Sequence, residues 1–355
     1  NSLLIVRLDA IGDYILFRNF LEVIRKNPKF KSYNITLLGN KAWKELAESL
    51  DNEFVDKFIW IDRNKFLKNP TYKYKKLKEI TSIGYEIIIH PTYSREFFVD
   101  KIVHLINAKE KIGSIGDLSN IIEWQKKISD QYYTKLIPAE SNIKFEFYRN
   151  KEFFENFLGS KIDIDRPYIN LNQNQKHFNL PENYAVLFIG ASARFRKWSI
   201  KNFADIGKYL KSKYGYNIVL CGGKDDKADA YEFEKIFCAD FINLVGKTTL
   251  LEFLHILKNA DLLISNETFA PHAAVALGVK YDIFVISNGN HFGRFIPYPE
   301  IIAPNYHPIY HPYIEKNINH YMVLSNTYGY GSNLDINEIT VESVKLKIDK
   351  VLSSN

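Results

Sequence analysis

Cysteine and methionine are nearly missing from this 355-residue chain, which has two of the first and one of the second. Two isolated thiols, Cys221 and Cys238, exclude a disulfide framework and a cysteine metal site, and they fit a reducing compartment. No apolar run approaches the ~20 residues that span a bilayer. The chain opens on the apolar segment 2–7 without the charged, apolar and cleavage regions of a secretory leader. A cytoplasmic protein is therefore expected, at most peripheral at the inner face of the inner membrane. Histidine and cysteine nowhere cluster at metal-ligand spacing. The one Asp-X-Asp, Asp163-Ile-Asp165, falls away from the strand ends where ligands bind, so neither metal nor cofactor is expected. No nucleic-acid-binding module is present, so nucleic acid is not an expected partner.

What is present is ordinary soluble-protein material: 46% hydrophobic and 25% charged residues. The length favours two domains over one core. A net charge of +6 is mild. Much of it lies between Arg63 and Lys78, where Lys65, Lys68, Lys73, Lys75, Lys76 and Lys78 interleave with Phe66, Tyr72 and Tyr74. This stretch reads either as a solvated helix face or as a footprint for anionic lipid or an anionic acceptor.

Short apolar runs alternate with amphipathic patterns, the signature of βαβ units and parallel sheets. Strands are expected at 3–8, 34–38, 57–61 and 85–90, with helices over 14–26 and 95–106. The second half repeats the scheme, with strands at 184–189, 217–221, 261–265 and 281–287. Ser199 is a candidate N-cap, and Thr249 with Glu252 forms a capping box. Helices are expected over 250–259, 271–277 and 338–353. The fold class is α/β, with two Rossmann-like domains facing across a cleft. The spans are 1–160 for the N-terminal domain, 161–182 for a polar, proline-containing linker, 183–335 for the C-terminal domain and 336–355 for a terminal helix.

Ligands of open α/β sheets bind beyond the carboxyl ends of the strands. After 184–189 comes Gly190-Ala-Ser-Ala-Arg-Phe-Arg-Lys-Trp198. Its small residues admit a ligand to the backbone, Ser192 offers a hydroxyl, and Arg194, Arg196 and Lys197 offer three cations suited to a diphosphate. Plain surface-loop cations are the alternative. After 261–265 comes Asn266-Glu-Thr-Phe-Ala-Pro-His272, leading into a helix whose free N–H groups make an anion seat. Thr268 and His272 could add donors there. Glu267 would repel phosphate, and so reads as a partner of a sugar hydroxyl or as a loop-orienting group. An ordinary cap with a core histidine is the competing reading. Gly222, Gly223 and Asp225 after 217–221 form a turn of the kind that holds a ribose. In the first half, Asp13 follows Gly12 at the first strand–helix junction. It is a cap in isolation, or a general base if the two domains face each other. His90, Tyr93 and Arg95, beyond the strand 85–90, are acceptor-side candidates. Arg294 follows Gly289 and Gly293 and is a candidate contact for donor sugar or phosphate.

Together these residues resemble the bacterial heptosyltransferases, glycosyltransferase family nine, in a variant branch. Arg7-Leu-Asp-Ala-Ile-Gly-Asp13 is similar to the family's opening Arg…Gly-Asp. Gly190-Ala-Ser192 with Arg196-Lys-Trp198 resembles its Gly-(Ala/Thr)-Ser…Lys-X-Trp-Pro loop, and Gly246-Lys-Thr-Thr-Leu250 its Gly-Lys-Thr-Ser-Leu segment. Asn266 to His272 aligns with Asn-Asp-(Ser/Thr)-Gly-X-X-His. Glu267 stands for Asp, Phe269 for Gly, Arg196 for Lys, Ser199 for Pro and Asn19 for Pro. The resemblance implies the GT-B architecture, with the C-terminal helix packing back toward the N-terminal domain. It also implies an inverting, metal-independent transfer of heptose or a related sugar, with Asp13 as base. The expected donor is a nucleotide diphosphate sugar, ADP-heptose by resemblance, and the acceptor a lipopolysaccharide core or other surface glycan. An epimerase of similar architecture and a non-catalytic nucleotide-sugar-binding module are the alternatives.

Overall fold

Strand β1 (Ser2–Arg7) is apolar at four consecutive positions and buried on both faces, as a central parallel strand must be. In the computed structural model it pairs with β2 (Asn34–Asn40) on one side and β4 (Tyr85–His90) on the other. β3 (Lys57–Ile61), β5 (Ala108–Ser114) and β6 (Lys135–Ile137) complete a parallel six-stranded sheet in the order β3-β2-β1-β4-β5-β6. The helices of this half are α1 (Ile11–Phe17), α2 (Asn19–Lys26), α3 (Lys44–Leu50), α4 (Arg63–Lys68), α5 (Pro70–Thr81), α6 (Phe97–Leu105), α7 (Glu123–Ser129) and α8 (Glu146–Leu158). The structure describes residues 1–171 and 178–353 and divides into two compact units, Asn1–Pro167 and Tyr168–Asn355. That division falls within the expected linker, of which residues 172–177 lie outside the described residues.

The single helix expected over 14–26 is two. The chain breaks at Arg18, whose guanidinium is drawn to Asp51 (2.7 Å) and the Leu50 carbonyl (3.2 Å). Asp51 also accepts from the Tyr14 hydroxyl, so α1 is anchored through two side chains at once. α8 closes the other side, with Phe154 stacked on Phe20 at 5.0 Å. Burying each such ring stabilises by about 2 kcal/mol.

The second unit repeats the topology. β7 (Tyr184–Phe188), β8 (Asn217–Cys221), β9 (Ile242–Asn243), β10 (Leu262–Asn266), β11 (Ile283–Ser287) and β12 (Tyr306–Tyr310) form a parallel sheet in the order β12-β11-β10-β7-β8-β9. Its helices are α9 (Ile200–Tyr209), α10 (Lys227–Phe237), α11 (Leu250–Lys258), α12 (Phe269–Ala276), α13 (Pro312–Lys316), α14 (Tyr321–Tyr328) and α15 (Val341–Leu352). Thr249 and Glu252 form the expected capping box of α11. Ser199 occupies the N-cap of α9 without a side-chain cap bond.

The C-terminal helix packs on the second unit. Ile336, Ile339, Val344 and Ile348 belong to the apolar core of the second unit itself, together with Phe203, Ile206 and Leu220. The Trp198 indole donates to the Ile339 carbonyl at 2.8 Å, and Asp349 accepts from Tyr209 and Tyr214. The apolar stripe of α15 is thus satisfied within its own unit.

Candidate functional site

In each sheet the order reverses once, between β1 and β4 and between β7 and β10. At such a switch point neighbouring crossovers run to opposite faces and leave a crevice at the strands' carboxyl ends. The loops that follow these four strands carry most of the candidate residues.

In the second unit, Arg196 bridges the two loops at the switch point. Its Nη2 donates to the Glu267 carbonyl and carboxylate, each at 2.6 Å, and Nη1 donates to Ser192 Oγ at 2.8 Å. Arg196 Nε is enclosed and has no hydrogen-bond partner among the described residues. Asn266 fixes the same crossing, since its side chain accepts from Trp198 N and donates to the Ile189 carbonyl, both at 2.9 Å. Burial pushes the Glu267 carboxyl up, but the Arg196 charge and the nearby His291 outweigh it and hold it below its ordinary range. Glu267 therefore sits as an ionised counter-charge to Arg196, the loop-orienting reading rather than a free sugar ligand.

Lys197, the next residue in sequence, faces elsewhere. The 3-10 turn Arg194–Arg196 separates the neighbours, and Lys197 Nζ is bound by Asp226 and by Asp229 at 2.8 Å. This corrects the expectation of three equivalent cations: Lys197 is committed to two carboxylates. Exposed Arg194 has no ion-pair partner among the described residues. The glycine turn after β8 is also anchored by Asp226 rather than by Asp225. Asp226 is buried and accepts from Gly223 N at 2.7 Å, whereas Asp225 is exposed. Gly190 and Gly222 pack on Asp226 so closely that a Cβ at Gly190 would lie 2.6 Å from its Oδ2.

Thr268 is the N-cap of α12 with no side-chain cap bond. His272 is buried one turn further on, its Nδ1 2.7 Å from the Tyr298 hydroxyl, and burial pulls its pKa down to about 4. Burial thus keeps the His272 imidazole neutral near pH 7. Phe269 is half-buried and its ring packs edge-on against Phe188 (5.3 Å) and Phe253 (5.6 Å). Arg294 lies over the Tyr330 and Phe295 rings at 4.6 and 5.4 Å.

In the first unit, Asp13 occupies the first turn of α1 with Gly12, and both are half-buried. The acceptor-side trio is enclosed. His90 binds the Tyr133 hydroxyl at 2.8 Å, and that hydroxyl donates to Asp100 at 2.6 Å. Arg95 is wholly buried among Asp100, Asp130 and the Tyr133 ring. Tyr93 is covered by the Arg149 guanidinium at 4.0 Å. Direct acceptor contact is therefore corrected for His90 and Arg95. β4 is a central strand, so the side chain at its end enters the core.

Residues 106–283 match the model of glycosyltransferase family 9, the heptosyltransferases. The chain belongs to glycosyltransferase family 9. A Haemophilus influenzae protein described as a candidate glycosyltransferase is 24% identical to it over 296 residues, 78% of this chain and 80% of the relative. The solved glycosyl transferase family 9 structure from Veillonella parvula superposes with a TM-score of 0.72 at 17% identity, covering 100% of this chain and 97% of that one. E. coli heptosyltransferase WaaC, solved with ADP, gives 0.68 at 15% identity over 99% of each chain. These likenesses establish the GT-B α/β fold for this glycosyltransferase.

Sequence reasoning passed over four residues that organise the glycosyltransferase's loops. Asp226 was hidden beside Asp225, and His291, in a left-handed turn (φ 61) near Glu267, was overlooked three residues before Arg294. Arg63 was grouped with the surface lysines, yet it donates to the Leu8 carbonyl at 2.6 Å and pairs with Glu96 at 2.8 Å. The fourth, Asp9, is held by Arg7 inside the first unit. An arginine in an otherwise apolar strand was the available signal for it.

Proposed function

We propose that this glycosyltransferase performs an inverting, metal-independent transfer from a nucleotide diphosphate sugar to a glycan acceptor. The donor is of the ADP-heptose class and the acceptor a lipopolysaccharide core or similar surface glycan. Asp13 takes the proton from the acceptor hydroxyl, whose oxygen attacks the anomeric carbon as the bond to the diphosphate breaks. Arg196, Arg194, Ser192 and the N-terminal end of α12 stabilise the negative charge that develops on the leaving diphosphate. The observation that carries this reading is the Arg196–Glu267 bridge across the switch point of the second sheet, in a chain of family 9. It fixes that guanidinium at the carboxyl ends of β7 and β10.

Asp13 supports the other half of the reaction. It is a half-buried carboxylate at the equivalent switch point of the first sheet, in a helix whose N-cap residue makes no side-chain cap bond. The lysine-rich stretch 63–78 supports peripheral contact with an anionic membrane at its cytoplasmic face. On α4 and α5, Lys65, Lys68, Lys73, Lys75 and Lys78 are exposed beside exposed Leu67 and Tyr74.

The test is Asp13→Asn assayed for transfer from ADP-heptose to a truncated lipopolysaccharide core. Turnover should fall by roughly 10²–10⁴, the usual contribution of a general base, with donor binding nearly unchanged. Full activity in that variant would remove Asp13 from the mechanism.

A further inference from the structure

Large apolar side chains crowd onto the surface after β5. Ile115, Leu118, Ile122, Trp124 and Ile128 are each between 40% and 56% exposed. Single exposed apolar residues are ordinary, but a contiguous group marks an interaction site. The loop that carries the first three is firmly held. Gly116, in a left-handed conformation (φ 69), lies so close to the loop after β4 that a Cβ would sit 2.8 Å from the Tyr93 carbonyl oxygen. Asn120 Nδ2 donates to the Ser94 carbonyl at 3.1 Å, and Asp117 accepts from Ser94 and Ser119 at 3.3 and 2.7 Å. Ile121 is buried beneath the loop. Ile122 then takes the N-cap of α7 without a side-chain cap bond, where a side-chain oxygen would hold the helix better.

The apolar group adjoins the cationic one. The Trp124 ring meets the edge of Phe97, the first residue of α6, at 5.8 Å, and Ile128 follows one turn along α7. Lys101 Nζ lies 4.3 Å from the Phe97 ring. Beside Phe97, Phe98 lies under the Arg63 guanidinium at 5.1 Å, and Glu96 pairs with Arg63 at 2.8 Å. The first turn of α6 therefore joins the apolar loop to lysine-rich α4. Nearby Asp130 is bound by Arg95 and Lys126, and exposed Glu123 is outnumbered by exposed Lys101 and Lys127. Ile5, Ile89 and Ile112 lie level across β1, β4 and β5, so Arg7 and Ser114 leave the sheet at the same height. The loop 115–122 thus opens on the same end of the sheet as the turn bearing Asp13.

We propose that this loop and the exposed face of α7 dock on an anionic bilayer, with Leu118, Ile122 and Trp124 entering its headgroup region. The lysines of α4 and α5 meet the lipid phosphates beside them. The inference rests on the reading of peripheral membrane contact and names the side chains that enter the lipid. An interfacial site needs both parts: apolar area to withdraw from water, tryptophan included, and cations to face anionic headgroups.

The experiment is cosedimentation of the full chain with phosphatidylglycerol-containing vesicles, read together with tryptophan fluorescence. Trp43 and Trp198 are buried and Trp60 donates to Glu48, so Trp124 dominates the response. Its emission should shift to the blue on binding and be quenched by lipids brominated near the headgroup, and Trp124→Phe should lose both responses. The triple variant Leu118→Ser, Ile122→Ser, Trp124→Ser should keep the wild-type melting temperature, because these side chains are exposed. It should bind the vesicles on the order of 100-fold more weakly, about 5-fold from each half-exposed side chain. Vesicle binding without a change in emission, or equal binding by the triple variant, overturns the inference and leaves contact through the lysines standing. No binding to anionic vesicles at all is the failure of the underlying reading, and the inference falls with it. A wild-type dimer in light scattering that the triple variant makes monomeric, with vesicle binding equal, assigns the face to a second copy and overturns the inference.

Discussion

Replacing Glu267 by glutamine tests the ionic bridge on which the donor-side reading rests. In wild type the carboxylate neutralises Arg196, whose side chain is only 12% exposed. Glutamine keeps the shape and leaves the guanidinium with neutral acceptors only: its own amide oxygen, the backbone carbonyl at that position and Ser192 Oγ. Removing one partner of a fully buried pair costs about 3–5 kcal/mol. Neutral acceptors survive here and some solvent reaches the cation, so about 2–3 kcal/mol is expected. For a unit of this size that lowers the melting temperature by roughly 5–10 °C.

The pH dependence follows from the lowered pKa of Glu267. A carboxyl group held below its unfolded value contributes stability that is present above that value and lost as pH falls through the folded one. The difference between wild type and Glu267→Gln should therefore be full at pH 7 and shrink steadily below the ordinary glutamate range near 4.5. Calorimetry of both proteins from about pH 8, inside the usual stability maximum, down to about pH 3 reads this directly. Equal melting temperatures at pH 7, or a gap that does not narrow in acid, would refute the bridge as an ionic contact.

Two further outcomes are expected. Gly190→Ala should destabilise the second unit by about 1–3 kcal/mol, because the new methyl meets Asp226, which Gly223 N and Lys197 prevent from retreating. An unchanged melting temperature would show that the turn yields. Reversing Lys73, Lys75 and Lys78 to glutamate should abolish cosedimentation with vesicles containing phosphatidylglycerol, at about 1 kcal/mol per lysine. Neutral vesicles should bind neither protein, and equal binding of both proteins to anionic vesicles would remove that face from membrane contact.

The parts of the fold that could be read from sequence are those where burial is two-sided. β1, β4, β7 and β8 are continuous apolar runs because both faces of a central parallel strand are covered. β5 escaped notice because its first residues, Ala-Lys-Glu-Lys, are partly exposed, and β12 because it is an edge strand that tolerates Pro308. Within the site, the loops were legible but the direction of each side chain was not. Arg196 and Lys197 are adjacent in sequence and serve different carboxylates, a divergence set by one 3-10 turn. Asp225 and Asp226 are likewise neighbours, and only the second is turned inward. His90 and Arg95 looked available because they follow a strand. The partners that enclose them, Tyr133 and Asp130, come from chain about forty residues away.

The terminal segment that seals the second core has a consequence for biogenesis. Val344 and Ile348 fill positions against α9, a helix made some 140 residues earlier. The second unit therefore remains unfinished until residues 341–352 have left the ribosome. The first unit contains all six of its strands by Ile137 and can fold while synthesis continues. A chain interrupted shortly before residue 340 would carry one finished half and one with its apolar interior open, a natural substrate for chaperones and proteases.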